Sequence, residues 1–302
     1  MRNTFIQELS NLADADPSIF LIVGDLGYSV IEPFVQRHPE KFVNAGVAEQ
    51  NMAGLAAGLA SEGFKVFVYS IANFPTFRCA EQIRNDIAYH NLPVTVVSVG
   101  AGLSYGALGY SHHAVQDYSL MRSMPNMTIA APGDPAEVKA VLTAIISNAV
   151  PTYLRLGKAG EKTLHTAVPQ VCDGIWLPHH HLSSNKNAVL TTGTSLQNVF
   201  SWFDSAKMAG TDFFSVPMWS QATKQSHYKQ LTQYDKITTI EDHLIDGGFG
   251  SYIAEIIHTS DLSIDLNILA LDPKVCGAVA SEKALHALGG LDKAEFIRAI
   301  NR

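Results

Sequence analysis

The chain has 302 residues, 47% of them hydrophobic and 16% charged, so it is long enough for two domains and too apolar to be disordered. Its 21 Lys and Arg against 28 Asp and Glu leave a net charge of −7, which argues against binding to the phosphate backbone of nucleic acids. The apolar run 53–60 is much shorter than the about 20 residues that a membrane span requires. With so few charges, we expect part of the surface to be covered by another chain.

The N-terminus has polar residues at helical spacing, which predicts a first helix, and it has no apolar signal core. The three cysteines, Cys79, Cys172 and Cys276, are far apart and odd in number. This spacing predicts a reducing compartment and hence a cytoplasmic protein.

In the first half, short apolar runs alternate with helical patterns, which is typical of a parallel sheet covered on both faces. The predicted strands are 19–23, 65–69, 94–99, 128–131 and, as an edge strand, 153–156. Asp134, Pro135 and Glu137 form a helix-start pattern of N-cap, first residue and third-position acceptor. We therefore predict an α/β fold and assign these three residues a structural role.

Residues 161–187 are rich in Gly, Pro, His and Ser, which predicts a linker between a domain 1–160 and a smaller α/β domain 188–302. The second domain has predicted strands at 188–193, 212–216, 236–240 and 266–271. The linker contains His179, His180 and His181. Because neighbours in sequence rarely converge on one tetrahedral ion, we expect a solvated histidine run and not a metal site.

The most informative segment is 44–63, where a strand-like approach leads into a helix. Glu49 lies at the helix start, a position where the helix dipole favours a carboxylate. Positions 53, 54, 57 and 58 are all Ala or Gly, so another backbone can approach this helix closely. Taken alone, Glu49 is explained by helix capping.

Three segments together change that interpretation. Residues 44–52, 70–84 and 102–117 resemble, in order and spacing, the pyrimidine-binding domain of transketolases, and the run Gly-Val-Ala-Glu-Gln-Asn-Met is the most specific part. Residues 241–251 resemble the C-terminal domain that transketolases share with deoxyxylulose-phosphate synthases. The resemblance covers nearly the whole chain and implies a pyrimidine-binding parallel-sheet domain followed by a smaller transketolase-like C-terminal domain.

The resemblance implies that the cofactor is thiamin diphosphate and that Glu49 is catalytic. Its carboxyl group would hydrogen-bond N1′ of the aminopyrimidine, while the cofactor carries a two-carbon ketol unit from a ketose to an aldehyde. Aromatic rings flank the aminopyrimidine in the family. Counted from Glu49 without gaps, the positions of these rings are occupied here by Ala72 and Pro75. Phe74 and Phe77 are the nearest aromatic candidates, and the alternative is that both are core residues.

The resemblance also implies substrate-binding residues. His112 matches a family position that hydrogen-bonds the substrate oxygen gaining charge, His113 is a weaker candidate beside it, and Lys158 falls near a phosphate-binding Arg. At two further positions where the family has an Asp and a His, this sequence has Leu108 and Gly100, respectively. These departures leave the donor and acceptor sugars open and make an unusual or non-phosphorylated sugar credible.

The Gly-Asp-Gly and downstream Asn motif that binds the diphosphate through Mg²⁺ in full-length transketolases does not match here. The run 24–27 lacks the third residue of the motif, and 246–248 falls in the other domain. The chain thus resembles the C-terminal half of a split transketolase. This implies a separate subunit that supplies the diphosphate and Mg²⁺ ligands, a second copy of this chain and an α₂β₂ assembly; we predict no metal ligand here.

Two classes of alternative stay open at this point. Another thiamin enzyme, such as the β chain of a 2-oxo acid dehydrogenase or a deoxyxylulose-phosphate synthase, has the same architecture. The run 49–52 favours transketolase over the former, and the missing first domain argues against the latter. A non-catalytic assembly partner is the other class, to which Leu108 and Gly100 point and against which Glu49 and His112 argue.

Overall fold

The computed structural model describes residues 1–204 and 208–302. In chain order, the strands are β1 Ile19–Val23, β2 Phe42–Asn44, β3 Lys65–Ile71, β4 Val94–Val99, β5 Thr128–Ala130, β6 Thr152–Leu156, β7 Leu177–His180, β8 Asn187–Thr191, β9 Thr211–Ser215, β10 Met218–Ser220, β11 Lys236–Leu244 and β12 Asp265–Leu271. The α-helices are α1 Arg2–Ala15, α2 Glu32–Arg37, α3 Glu49–Ser61, α4 Phe74–Phe77, α5 Ala80–Gln82, α6 Asp117–Met121, α7 Pro135–Asn148, α8 Ser195–Trp202, α9 Lys224–Leu231, α10 Phe249–Thr259, α11 Glu282–Leu288 and α12 Lys293–Asn301.

Over the described ranges the first sheet has seven strands in the order β10-β5-β6-β4-β3-β1-β2. All pairings are parallel except that of β10 with β5. β6 lies between β5 and β4, and its five residues are buried. The prediction of an edge strand at 153–156 is therefore wrong, because the chain returns to the sheet interior after α7.

The second sheet has the order β12-β11-β8-β9-β7 across the described residues, and β7 pairs antiparallel with β9. β7 lies inside 161–187, where a linker was expected. The ring of His179 stacks on Phe213 at 5.1 Å between centroids, and Nδ1 of His181 lies 2.7 Å from Oδ2 of Asp212. The expectation of a solvated histidine run is wrong for His179, because strand pairing brings it against β9, whereas the His181 side chain is 43% exposed.

A buried polar cluster joins the two sheets. The Arg155 guanidinium on β6 donates from Nε to Oδ2 of Asp117 at 2.7 Å. Its Nη2 donates to the backbone oxygens of Ala114 at 2.6 Å and Asp242 at 2.9 Å. Since Asp242 belongs to β11, this one side chain connects the first sheet, the loop before α6 and the second sheet.

Several local predictions are confirmed. α1 starts at the N-terminus, and β1 and β4 have the predicted bounds. The backbone N–H of Glu137 donates to Oδ1 of Asp134 at 2.7 Å, and Oε2 of Glu137 accepts from the N–H of Gly133 at 2.6 Å, so the helix-start pattern works as capping chemistry requires. Within the described part of the chain, every helix is too short or too polar to cross a bilayer.

Candidate active site

Polar and aromatic side chains line one edge of the first sheet. Glu49 follows β2, Phe74 follows β3, His112 follows β4 and Lys158 follows β6. Because the carboxyl ends of parallel strands meet at the same edge, all four residues lie there, in the order of the strands. Such an edge is where open α/β sheets bind ligands.

Glu49 is the first residue of α3, as predicted, and its side chain is only 6% exposed. Its Oε1 accepts from Nη1 of Arg78 at 2.9 Å. Across residues 1–204 and 208–302, this is the one hydrogen bond of the carboxylate. Ala48 at the N-cap has no polar side chain, so Glu49 supplies the negative charge that the helix N-terminus favours.

Arg78 links Glu49 to the aromatic part of the site. Its guanidinium carbon lies 4.3 Å from the centroid of the Phe74 ring, a cation–π distance. Sequence analysis missed Arg78, although the four-residue spacing from Phe74 places the two on one helical face. Phe74 is half-buried and Phe77 is 47% exposed, so Phe77 is not a core residue.

His112 continues the array. Its ring meets Phe74 edge-on at 5.4 Å and Tyr105 at 6.3 Å between centroids. Its Nδ1 lies 3.0 Å from the hydroxyl oxygen of Ser111. Burial, together with the nearby His113, lowers the pKa of His112. The imidazole is therefore neutral at neutral pH, with one nitrogen able to donate and the other able to accept.

His113 points away from this edge. The side chain is fully buried, and its Nε2 lies 3.3 Å from the backbone oxygen of Gly106. Its own backbone oxygen accepts from Nδ2 of Asn73 at 2.9 Å. His113 is therefore close to His112, but its side-chain and backbone contacts hold the loop together.

Tyr105 explains one departure from the family pattern. Gly100 has φ +90°, and a Cβ at this position would lie 2.2 Å from the Tyr105 ring. The tyrosine thus occupies the space next to the end of β4 that a side chain at position 100 would need. Nζ of Lys158 lies 5.1 Å from the Tyr105 centroid and at the rim of a cleft of about 620 Å³. Leu108, at the position of the family Asp, is 57% exposed.

The model of the transketolase pyrimidine-binding domain matches residues 1–160. The chain belongs to the transketolase family. It is 30% identical to the putative transketolase C-terminal section of Methanocaldococcus jannaschii over 99% of this chain and 95% of that protein. It is 29% identical to one of the subunits of the apulose-4-phosphate transketolase of Phocaeicola vulgatus over 97% of this chain and 93% of that protein.

A solved structure has the same fold over nearly its full length. A split-gene transketolase described as an inactive β4 tetramer superposes with a TM-score of 0.85 at 25% identity, covering 99% of this chain and 96% of that one. These matches run end to end against subunits and sections of transketolases. The chain is therefore a transketolase-type transferase subunit. It also matches 1-deoxy-D-xylulose-5-phosphate synthases at 27–30% identity, but spans less than half of their length, so they fit the chain only distantly.

Proposed function

We propose that this chain is the catalytic-carboxylate subunit of a thiamin diphosphate-dependent transketolase that transfers a two-carbon ketol unit from a ketose to an aldehyde. The observation that carries the proposal is Glu49. It is a buried carboxylate at the start of a helix, at the carboxyl end of a parallel sheet, and Arg78 connects it to the ring of Phe74.

The residues present fit an aminopyrimidine. Glu49 offers a carboxyl group for a ring nitrogen, Phe74 offers a half-buried ring for stacking, and Phe77 lies at the exposed end of the same helical turn. When bound, thiamin diphosphate supplies the electron sink for carbon–carbon cleavage. Arg78 is about half exposed, so its side chain can withdraw from Glu49 when a pyrimidine nitrogen takes its place.

His112 is proposed to act on the substrate. A neutral imidazole beside the pyrimidine-facing ring of Phe74 can donate its N–H to the carbonyl oxygen that gains charge during addition. Lys158 and Tyr105, next along the same edge, are proposed to bind polar groups at the far end of the sugar.

The diphosphate and Mg²⁺ ligands are proposed to come from a separate subunit, in a cytoplasmic α₂β₂ assembly that includes a second copy of this chain. Support comes from the end-to-end matches with a C-terminal section and with a single transketolase subunit, and from the similar split-gene chain that is inactive as a β4 tetramer. The exposed face of α3 includes Gly54 and Gly58. A neighbouring backbone can therefore approach this face of α3 closely.

The test compares two glutamates at opposite ends of α3. In the complex reconstituted with a Gly-Asp-Gly-containing partner, thiamin diphosphate and Mg²⁺, we expect Glu49→Gln to abolish ketol transfer from a panel of ketoses. Glu62→Gln is the matched control, because Glu62 is exposed at the C-terminal end of the same helix. Near-wild-type turnover by the Glu49 variant would refute the assignment.

A further inference from the structure

A second group of polar side chains lies outside the candidate active site around Glu49. Glu137 is in the first turn of α7, His165 is in the segment that connects the two sheets, and His179 is in β7. One potential ligand atom from each residue lies within 4.8 Å of the other two. Oε1 of Glu137 and Nε2 of His165 are 3.8 Å apart.

These atoms lack the hydrogen bonds that buried polar atoms normally have. Oε1 of Glu137, Nε2 of His165 and Nε2 of His179 are all buried and have no partner in residues 1–204 and 208–302. The Glu137 side chain is 0% exposed. Leaving a buried polar atom unsatisfied is costly. The buried hydroxyl of Ser215, which also has no partner in the described residues, faces Glu137, and these atoms together indicate a site for a missing binding partner.

The other polar atoms of Glu137 and His165 are already fixed. Oε2 of Glu137 accepts from the N–H of Gly133 at 2.6 Å. Nδ1 of His165 lies 3.2 Å from Oδ2 of Asp134, and a carboxylate can only accept there. Nδ1 of His165 therefore carries a proton, and in the neutral imidazole Nε2 then has a lone pair that faces the cluster. A carboxylate that holds a histidine in this way is the usual outer partner of a metal ligand.

We propose that Glu137, His165 and His179 bind one Zn²⁺ ion, with water as the fourth ligand. Two imidazole nitrogens and one carboxylate oxygen are a ligand set that zinc accepts. Tetrahedral ligands about 2.0–2.1 Å from zinc are about 3.3 Å apart, so the 3.8 Å separation of Glu137 and His165 needs to shorten by only a few tenths of an ångström.

A shared proton does not account for the cluster equally well. The 3.8 Å between Nε2 of His165 and Oε1 of Glu137 exceeds a hydrogen-bond distance, and a proton there would leave His179 unpartnered. A metal ion, in contrast, would give all three buried atoms a partner.

The ion would have a structural role. Glu137 belongs to a helix of the first sheet and His179 to an edge strand of the second, while His165 lies on the connection between them. Binding all three residues would fix the connecting segment to both domains. The sequence run of three histidines contributes only His179, because its ligand partners are distant in sequence.

The test uses the full chain without an affinity tag, stripped of metal with EDTA and then titrated with Zn²⁺. We expect about one zinc per chain by mass spectrometry after dialysis, a zinc-dependent rise in Tm, and a tetrahedral d–d spectrum when Co²⁺ replaces zinc. His165→Gln and His179→Gln should each lower zinc affinity by at least about tenfold.

His180→Gln is the matched control, because His180 is the next residue on the same strand and lies outside the cluster; it should keep wild-type zinc binding. Wild-type protein that retains no stoichiometric zinc, as expected for a site filled by water, would overturn the proposal. So would equal zinc binding in wild type, His165→Gln and His179→Gln. If one Gln variant fails to fold, the other and Glu137→Gln test the same site, while His286→Gln separates it from the other group of potential ligands, Asp242, Glu282 and His286.

Discussion

Removing the charge of Asp117 tests whether its buried ion pair with Arg155 holds the candidate active site in place. The two side chains are 0% and 1% exposed. Asp117→Asn removes the carboxylate that the buried guanidinium contacts and leaves Asp242 as the other buried carboxylate acting on it. Breaking a buried pair from one side costs about 3–5 kcal/mol. Arg155 also holds the backbone of Ala114, two residues after His112, so we expect ketol transfer to fall together with stability.

The assay is urea unfolding followed by tryptophan fluorescence, since Trp219 is buried 5.4 Å from Tyr118 beside this pair. The double variant Asp117→Leu, Arg155→Met serves as the control. Replacing both partners with apolar groups leaves no unpaired charge, so we expect it to recover the part of the loss that comes from the charge. The hydrogen bonds of Arg155 to Ala114 and Asp242, and of the Tyr153 hydroxyl to Asp117, stay lost. A loss below about 1 kcal/mol for Asp117→Asn, the range of an exposed ion pair, would refute the reasoning.

Two further predictions concern stability. Burial lowers the pKa of His227 to about 4, from 6.5, while its Nδ1 accepts from Nε1 of Trp176 at 2.9 Å. Between pH 6.5 and pH 4 only the unfolded chain takes up this proton. The contribution of His227 to the unfolding free energy is therefore fully present above pH 6.5 and declines towards pH 4, by at most about 3 kcal/mol. In urea titrations at a series of pH values, His227→Gln should flatten this decline, and an unchanged slope would contradict the prediction. Gly102→Ala should lower Tm, because Gly102 has φ +59° and a Cβ there would lie 1.6 Å from Oδ2 of Asp242. Gly58→Ala should raise the Tm of the isolated chain slightly, because no described atom lies within 4 Å of its Cβ. Equal melting shifts for the two variants would contradict this.

Local signals in the sequence predict much of the fold. The apolar runs of β1 and β4, the capping residues around Asp134 and the helix start at Glu49 are found as predicted. Each of these features depends on residues within about four positions of one another, such as an N-cap and its acceptor. Such short-range chemistry needs no knowledge of the tertiary fold.

The features that the sequence did not predict depend on residues far apart in the chain. The interior position of β6 and the joining of β10 to the first sheet follow from strand order, which apolar periodicity does not encode. The cluster of Glu137, His165 and His179 converges only when β7 pairs with β9. In the candidate site, Glu49 was found from a specific motif, whereas Arg78 was missed, because its partner Glu49 is 29 residues away.

The central claim is that the active site is completed by another subunit. The most direct measurement is ketol transfer by the purified chain with thiamin diphosphate and Mg²⁺, alone and after addition of a subunit carrying the Gly-Asp-Gly motif. We predict no turnover by the chain alone and activity that saturates at one partner per chain. Robust ketol transfer by the single chain would contradict the account.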